Sequence, residues 1–310
     1  MRIALLGRTR WLIDAAEMLR RDGHDIVSVV TAREEPFYQC GPAEFEALAA
    51  RSGADFLGVA SLGDPSVLHR LVAARPELAV SINWPVVVDA AVIGLFQYGV
   101  VNAHCGDLPR YRGNACPNWA IINGEERIGL CAHLMEAGAL DAGPVLLRDY
   151  MPVTEDTYIG DVYFWLDRRI PTLIAEAISG LAEGALWPSP QPDDAALALR
   201  CYPRRPSDGR IDWHQSVTAI HRLVRASSRP FSGAFASLED GRRLTIWRAR
   251  PFHSVTPFCA VPGQVMLRAN GDPVIACGTG ALVLEEVEVE GMEGGDHRSV
   301  VGRSLRMRLT

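Results

Sequence analysis

The sequence predicts a doubly wound α/β fold, a mostly parallel sheet with helices on both faces, followed by a small antiparallel β-barrel unit. Three observations predict it. Short aliphatic and β-branched runs alternate with amphipathic helical stretches over the first 180 or so residues, and strands that read as continuous apolar runs belong in a parallel sheet covered on both faces. Of the 310 residues 48% are hydrophobic, enough to fill such a core. Beyond residue 210 the pattern turns to alternation broken by "EDG" and "NGD", the turn signals of hairpins, and five strands closed as a barrel are expected there.

Taken in order, "RIALLG" (2–7) is an apolar run closed by Gly7 and forms the first strand. The next stretch, "WLIDAAEMLRRDG", places Leu12, Ala15, Ala16 and Leu19 on one helical face and stops at Gly23. "HDIVSVVT" (24–31) is the second strand. "ADFLGV" (54–59), "ELAVSIN" (77–83) and "GVVNAH" (99–104) are further strands, with helices at 43–52, 64–74 and about 87–93 between them. "IGLCAHLM" (128–135) is another strand, running into "EAGALDAGPV" (136–145), and a long helix fills roughly 157–183. "GALWPSPQPDDAALALRCYPRRPSDGR" (184–210) holds five Pro and several small residues, the marks of a linker. The expected division is a catalytic domain at 1–185, a linker at 186–209 and a barrel-like domain at 210–310, the last opening on a short helix in "WHQSVTAIHRLVRAS".

Composition removes several function classes. A net charge of −6 and a pI near 5.8 provide no global basic field for a polyanion. Every cation is Arg, which excludes Schiff-base and P-loop lysine chemistry. The seven Cys (40, 105, 116, 131, 201, 259, 277) are widely spaced and form no C-x-x-C pair, so neither a disulfide framework nor a zinc knuckle is expected and a reducing cytoplasm fits best. The apolar run at the amino end is too short for a signal sequence or a span, and no membrane is expected. The first strand-to-helix turn, "LLGRTRW", is not G-x-G-x-x-G, and neither G-x-S-x-G nor H-E-x-x-H occurs. Dehydrogenase, α/β-hydrolase and zincin readings lose their support.

What remains is "VVNAHCGDLPRYRGNACPNW" (100–119), at the end of a strand where open α/β sheets bind ligands. Residues i and i+2 of a strand share a face, so Asn102 and His104 project together. An amide can donate to a developing oxyanion, and an imidazole can take or relay a proton near neutral pH. That pairing suits acyl transfer. Asp141, in the turn "LDAG", is the leading candidate to orient the imidazole, while Cys105 alternates to the opposite side and is a poor nucleophile candidate. Taken singly, these residues also fit a strand-end amide, a satisfied histidine and a turn aspartate, and "LPRYRG" also fits a rigid loop with Pro109 fixing φ and Gly113 allowing a tight exit. Their joint occurrence favours chemistry. His133, inside "LCAHLM", reads as core, and His24, His69, His214 and His221 as surface or helix positions.

"NAHCGDLPRYRG", followed about thirty residues later by "LDAGPV", resembles the signature of the formyltransferase family that uses 10-formyltetrahydrofolate, and "IDWHQSVTAIHRLVRASSRPFSGAF" (211–235) resembles the start of its small carboxyl-terminal domain. The resemblance covers most of the chain. It implies a Rossmann-like catalytic domain with an OB-like barrel, Asn102, His104 and Asp141 as the catalytic trio, no metal, and a homodimer. It also implies a pterin seated against the "INWPV" loop, Ile82, Asn83, Trp84, Pro85 and Val86, and against Leu140 and Gly143 beside Asp141. Trp84 fits packing equally well. Whether His104 or Asp141 takes the proton from the attacking amine stays open.

The resemblance also bears on the acceptor. Relatives that act on tRNA carry Ser-Leu-Leu-Pro after the histidine and a basic insertion after the second strand. Here Gly106-Asp107-Leu108-Pro109 stands in the first place, and "TAREEPFYQCGPAEFEA" (31–47) holds one Arg against four Glu. The expectation is therefore a nucleotide-linked amino sugar as acceptor, as in O-antigen biosynthesis, and no nucleic acid. Arg110, Tyr111, Arg112 and Trp119, with Phe37 and Tyr38, are the candidates to hold it, beside Gly106 and Asp107. Arg110 and Arg112 fit equally well as anchors of their own loop. Methionyl-tRNA as acceptor, a formyl-folate hydrolase and a non-catalytic folate-binding protein are the alternatives. Hydrolase relatives carry an extra amino-terminal domain, and the non-catalytic reading expects a lost trio member.

Overall fold

The computed structural model describes residues 1–35 and 38–310. The chain forms two compact units, one made of residues 1–113, 128–151 and 164–201, the other of residues 114–127, 152–163 and 202–310.

The first unit is built on a seven-stranded sheet. Its strands are β1 (Arg2–Gly7), β2 (Asp25–Thr31), β3 (Asp55–Gly58), β4 (Leu78–Ile82) and β5 (Val100–His104), then β7 (Arg127–Leu134) and β8 (Val145–Pro152) after the two-residue β6 (Arg112–Gly113). The spatial order is β3-β2-β1-β4-β5-β7-β8. The pairs β1–β2, β1–β4, β2–β3 and β4–β5 are parallel and β5–β7 is antiparallel. The expected doubly wound, mostly parallel sheet is present. Its strand order reverses between β1 and β4, so the crevice favoured by ligands lies at the carboxyl ends of those strands.

The connecting helices are α1 (Arg10–Arg21), α2 (Pro42–Ser52), α3 (Pro65–Ala74) and the single turn α4 (Ala90–Ile93). α1 buries Leu12, Ile13, Ala15, Ala16 and Leu19, the face that its periodicity marks. α4 is shorter than the 87–93 stretch suggests, because Asp89 adopts an extended backbone and caps the helix only there. β8 gives no apolar signature, since a strand at the end of a sheet carries polar side chains such as Arg148 and Asp149. The Pro-rich stretch after residue 184 is tied to this unit as far as Cys201. Val145 and Ser189 exchange backbone hydrogen bonds at 2.8 and 2.9 Å, and β9 (Arg200–Cys201) pairs with β6.

The second unit contains α5 (Cys116–Asn123) and α7 (Val217–Ser227), while α6 (Ile159–Ala182) starts in this unit and ends in the first. Ser216 caps α7 by accepting from the Ala219 N–H at 3.2 Å. Five antiparallel strands follow, β10 (Ala234–Ser237), β11 (Arg243–Phe252), β12 (Val265–Ala269), β13 (Asp272–Ala276) and β14 (Ala281–Val289), in the order β10-β11-β14-β13-β12, and then the short α8 (Arg298–Val301). The last four residues occupy both edges of this sheet. Thr310 exchanges backbone hydrogen bonds with Ser237 at the end of β10, while Met307 and Leu309 bond to Val265 and Gly263 at the start of β12. The tail thereby closes what would otherwise be two open edges. Among the described residues no helix is long and apolar enough to cross a membrane.

Candidate functional site

The site grows from the register of β5. Asn102 pairs with Ser81 of β4 on one side and with His133 of β7 on the other, and His104 pairs with Cys131. Alternation puts Asn102 and His104 on one face, and the antiparallel register brings His133 beside Asn102 on the same face. All three are buried, at 8%, 6% and 1% exposure. The turn after β7 folds back over that face with Asp141 at φ 49°, a left-handed conformation that a non-glycine residue adopts at some cost. Asp141 Oδ2 lies 3.5 Å from His104 Nδ1 and accepts the Gly113 N–H at 2.8 Å, while Oδ1 lies 3.6 Å from His133 Nε2. Asn102, His104 and Asp141 are thus gathered in one place, with His133 among them.

Hydrogen-bond logic fixes the protons. His104 Nε2 lies 2.6 Å from the Tyr111 carbonyl, which can only accept, so Nε2 carries a hydrogen and Nδ1 is the nitrogen that gains or loses a proton. His133 Nδ1 lies 2.9 Å from the Leu134 carbonyl and donates likewise, leaving its Nε2 to accept from the Asn102 amide at 3.1 Å. Burial lowers the His104 pKa, and the Asp141 charge opposes this only in part. Burial alone would raise the Asp141 pKa, but the neighbouring His133 and His104 rings and the Gly113 N–H outweigh it and hold the group at about 2. At neutral pH the cluster is therefore a carboxylate facing a neutral imidazole. Desolvation pushes the Cys105 thiol up to about 12, which removes it as a nucleophile.

The loop after β5 delivers the Tyr111 carbonyl. Tyr111 has φ 57° and a buried ring, with Arg110 over that ring at 5.4 Å. Gly106 is required by the close approach, because a Cβ there would stand 2.6 Å from His104 Nε2 and nearer still to the Tyr111 oxygen. Asp107 accepts from Tyr150 at 3.0 Å and faces Arg148 at 3.5 Å. Arg112 donates to Gln191 at 2.7 Å. Asp107 and Arg112 thus tie the loop after β5 to β8 and to Gln191. Trp119 belongs to α5 in the second unit, where its indole donates to the Tyr202 carbonyl at 2.8 Å and Arg204 lies 5.5 Å from the ring. Tyr38 lies 5.3 Å from the Arg8 guanidinium, and Phe37 lies outside the described residues.

The segment after β4 carries the candidates Ile82 to Val86. Asn83 takes φ 55°, and its carbonyl accepts from Arg8 Nε at 3.1 Å across the strand-order reversal. Ile82 is fully buried. Pro85, Val86 and Val87 are exposed, as is Leu140 in the turn before Asp141. The Trp84 indole N–H is buried with no hydrogen-bond acceptor among the described residues, a donor suited to a ring that carries acceptors. The Gly143 backbone lies close against the Leu134 carbonyl. Among the described residues no group of three or more His, Cys, Asp or Glu is arranged to hold a metal ion.

Two neighbours of the site escape the sequence reading. His133 is buried as expected of a core residue, yet it touches both Asn102 and Asp141; "C-A-H" on one strand opposite "N-A-H" on another was the available signal, and it needs the register to be read. Gln191 donates to the Asp141 and Gly143 carbonyls, both at 2.8 Å, from a stretch that gives no sequence signal for such a role.

Residues 1–177 match the family model described as formyl transferase, and residues 204–298 match formyl transferase, C-terminal domain. The methionyl-tRNA formyltransferase of Citrifermentans bemidjiense is 31% identical over 296 residues, covering 94% of this chain and 90% of that protein. The protein of the same name from Caldanaerobacter subterraneus is 30% identical over 295 residues, covering 94% and 93%. Among solved structures, the sugar 3N-formyl transferase WlaRD superposes with a TM-score of 0.65 at 13% identity, covering 94% of this chain and 99% of that one. HypX from Aquifex aeolicus superposes at 0.58 with 18% identity, and this chain spans only 45% of its length.

These relatives correct one expectation. A nucleotide-linked amino sugar was expected as acceptor and no nucleic acid, with methionyl-tRNA kept as an alternative, whereas curated relatives at 27–31% identity are named for methionyl-tRNA and favour that alternative. The likeness to sugar-modifying enzymes is one of fold alone. Net charge averages over the chain: residues 202–310 hold 15 Arg against 11 acidic residues, an excess hidden by the acidic remainder. With a family model spanning residues 1–177 and a relative 31% identical along nearly the whole length, the chain belongs to the formyl transferase family.

Proposed function

We propose that this protein transfers a formyl group from 10-formyltetrahydrofolate to the amino group of methionine carried on tRNA. The observation that carries the reading is the likeness, over 94% of the chain, to proteins named methionyl-tRNA formyltransferase. The cluster of Asn102, His104 and Asp141 supports it chemically, and the Arg excess of residues 202–310 supports a polyanionic acceptor. In this reading the chemistry belongs to residues 1–185 and acceptor docking to residues 210–310, joined through 186–209. Seven widely spaced cysteines with no C-x-x-C pair suit a reducing cytoplasm.

The folate supplies the formyl group when bound, its ring held by the 82–86 segment with Leu140 and Gly143. Asn102 donates its second amide N–H to the formyl oxygen as that oxygen gains negative charge. His104 Nδ1 or the Asp141 carboxylate would receive the amine proton and return it to the folate nitrogen as the bond from that nitrogen to the formyl carbon breaks, and the carboxylate stabilises the imidazolium if the proton rests on the ring. The test is to incubate purified protein with 10-formyltetrahydrofolate and methionyl-tRNA and to follow formylmethionine by mass. Formylation of other amines with methionyl-tRNA untouched would overturn the reading.

A further inference from the structure

We propose that His133 is a positioning residue that holds the Asn102 amide so that its second N–H is aimed at the reacting carbonyl oxygen. This role rests on the transferase reading above. An asparagine amide has two nearly isosteric orientations, one presenting N–H groups and one presenting oxygen, and its terminal torsion is broad and roughly two-fold. In the wrong orientation oxygen would face oxygen at the point where charge develops. Something must choose between them.

His133 makes that choice through a short chain of donors and acceptors. The Leu134 carbonyl, 2.9 Å from Nδ1, only accepts, so Nδ1 holds the proton and Nε2 offers a lone pair. That lone pair lies 3.1 Å from Asn102 Nδ2. A flipped amide would set its oxygen against the lone pair, two acceptors with no hydrogen between them. Asp141 Oδ1, at 3.6 Å from Nε2, stands beyond hydrogen-bond range and leaves that lone pair to the amide. His133 is itself fixed, at 1% exposure and in register opposite Asn102. It acts on the chemistry only through its neighbour.

Nuclear magnetic resonance of the whole protein, 15N-labelled, reads the arrangement without any substrate. The expected result is His133 protonated at Nδ1, with a scalar coupling across the hydrogen bond between Asn102 Nδ2 and His133 Nε2. A ring protonated only at Nε2, or no coupling, overturns the proposal. In turnover, His133→Phe is expected to lower kcat about 10- to 100-fold with KM for the formyl donor within about threefold, and His133→Gln, whose side-chain oxygen accepts the same N–H, to recover most of that loss. In an Asn102→Ala background His133→Phe should change kcat by less than about twofold, since the group it positions is gone. Equal losses in both backgrounds would mean that His133 acts otherwise. If the unmodified protein formylates no amine, the transferase reading falls while the resonance result still decides the positioning role.

Discussion

Asp141 keeps its charge in a place where burial alone would raise its pKa, and that charge opposes the fall that burial imposes on the His104 pKa. Asp141→Asn preserves shape and leaves an oxygen for the Gly113 N–H but removes the charge. Turnover is expected to fall about 100-fold or more while the thermal midpoint moves little; a rate within twofold of the parent would reject the role. His221, buried in the second unit, gives a separate test of electrostatics. Burial and the adjacent Arg225 lower its pKa to about 4. Because the unfolded ring titrates near the ordinary value of 6.5, the unfolded state takes up the proton first as pH falls. The stabilisation is therefore complete above pH 6.5 and is lost toward pH 4, a swing of about 3 kcal/mol. Urea unfolding at neutral pH and at about pH 4.5 should show a smaller difference for His221→Gln than for the parent, and an unchanged difference would reject the assignment.

At the scale of elements, the β5 loop is a device for placing one carbonyl. Gly106 lets the chain pass so close to His104 that Tyr111, at positive φ, can accept from the ring. Gly106→Ala should destabilise the protein by about 1–3 kcal/mol and cost about tenfold in turnover, because the ring and the carbonyl must part. Unfolding curves and rates measured side by side check this, and an alanine variant with parental values for both would show that the loop yields freely. The carboxyl-terminal tail plays the corresponding part in the other sheet. Removing residues 307–310 strips four backbone hydrogen bonds from two strand edges and the buried Leu309 from the core, so a loss of about 2–5 kcal/mol is expected by calorimetry.

For the whole molecule the governing feature is the uneven distribution of charge. Residues 202–310 carry a surplus of Arg, while residues 1–201 hold 16 Arg against 26 acidic residues. If the basic part docks the acceptor RNA, affinity for methionyl-tRNA should drop at least about tenfold between about 50 and 200 mM salt, since each neutralised phosphate releases counterions. Steady-state KM measured across that range provides the slope. A flat response would separate the acceptor from the basic part of the chain.

The sequence by itself determined the alternation of strands and helices, because patterns such as the buried face of α1 and the apolar runs of β1, β4 and β5 are local and periodic. It also determined that Asn102 and His104 share a face, since strand alternation is fixed by backbone geometry. Only the tertiary structure decided that β7 runs antiparallel to β5 with His133 opposite Asn102, that the Asp141 turn folds back over both histidines, and that Gln191 braces that turn. Register and long-range closure depend on the packing of segments distant in the chain, and no local pattern of residues encodes the free energy of those contacts.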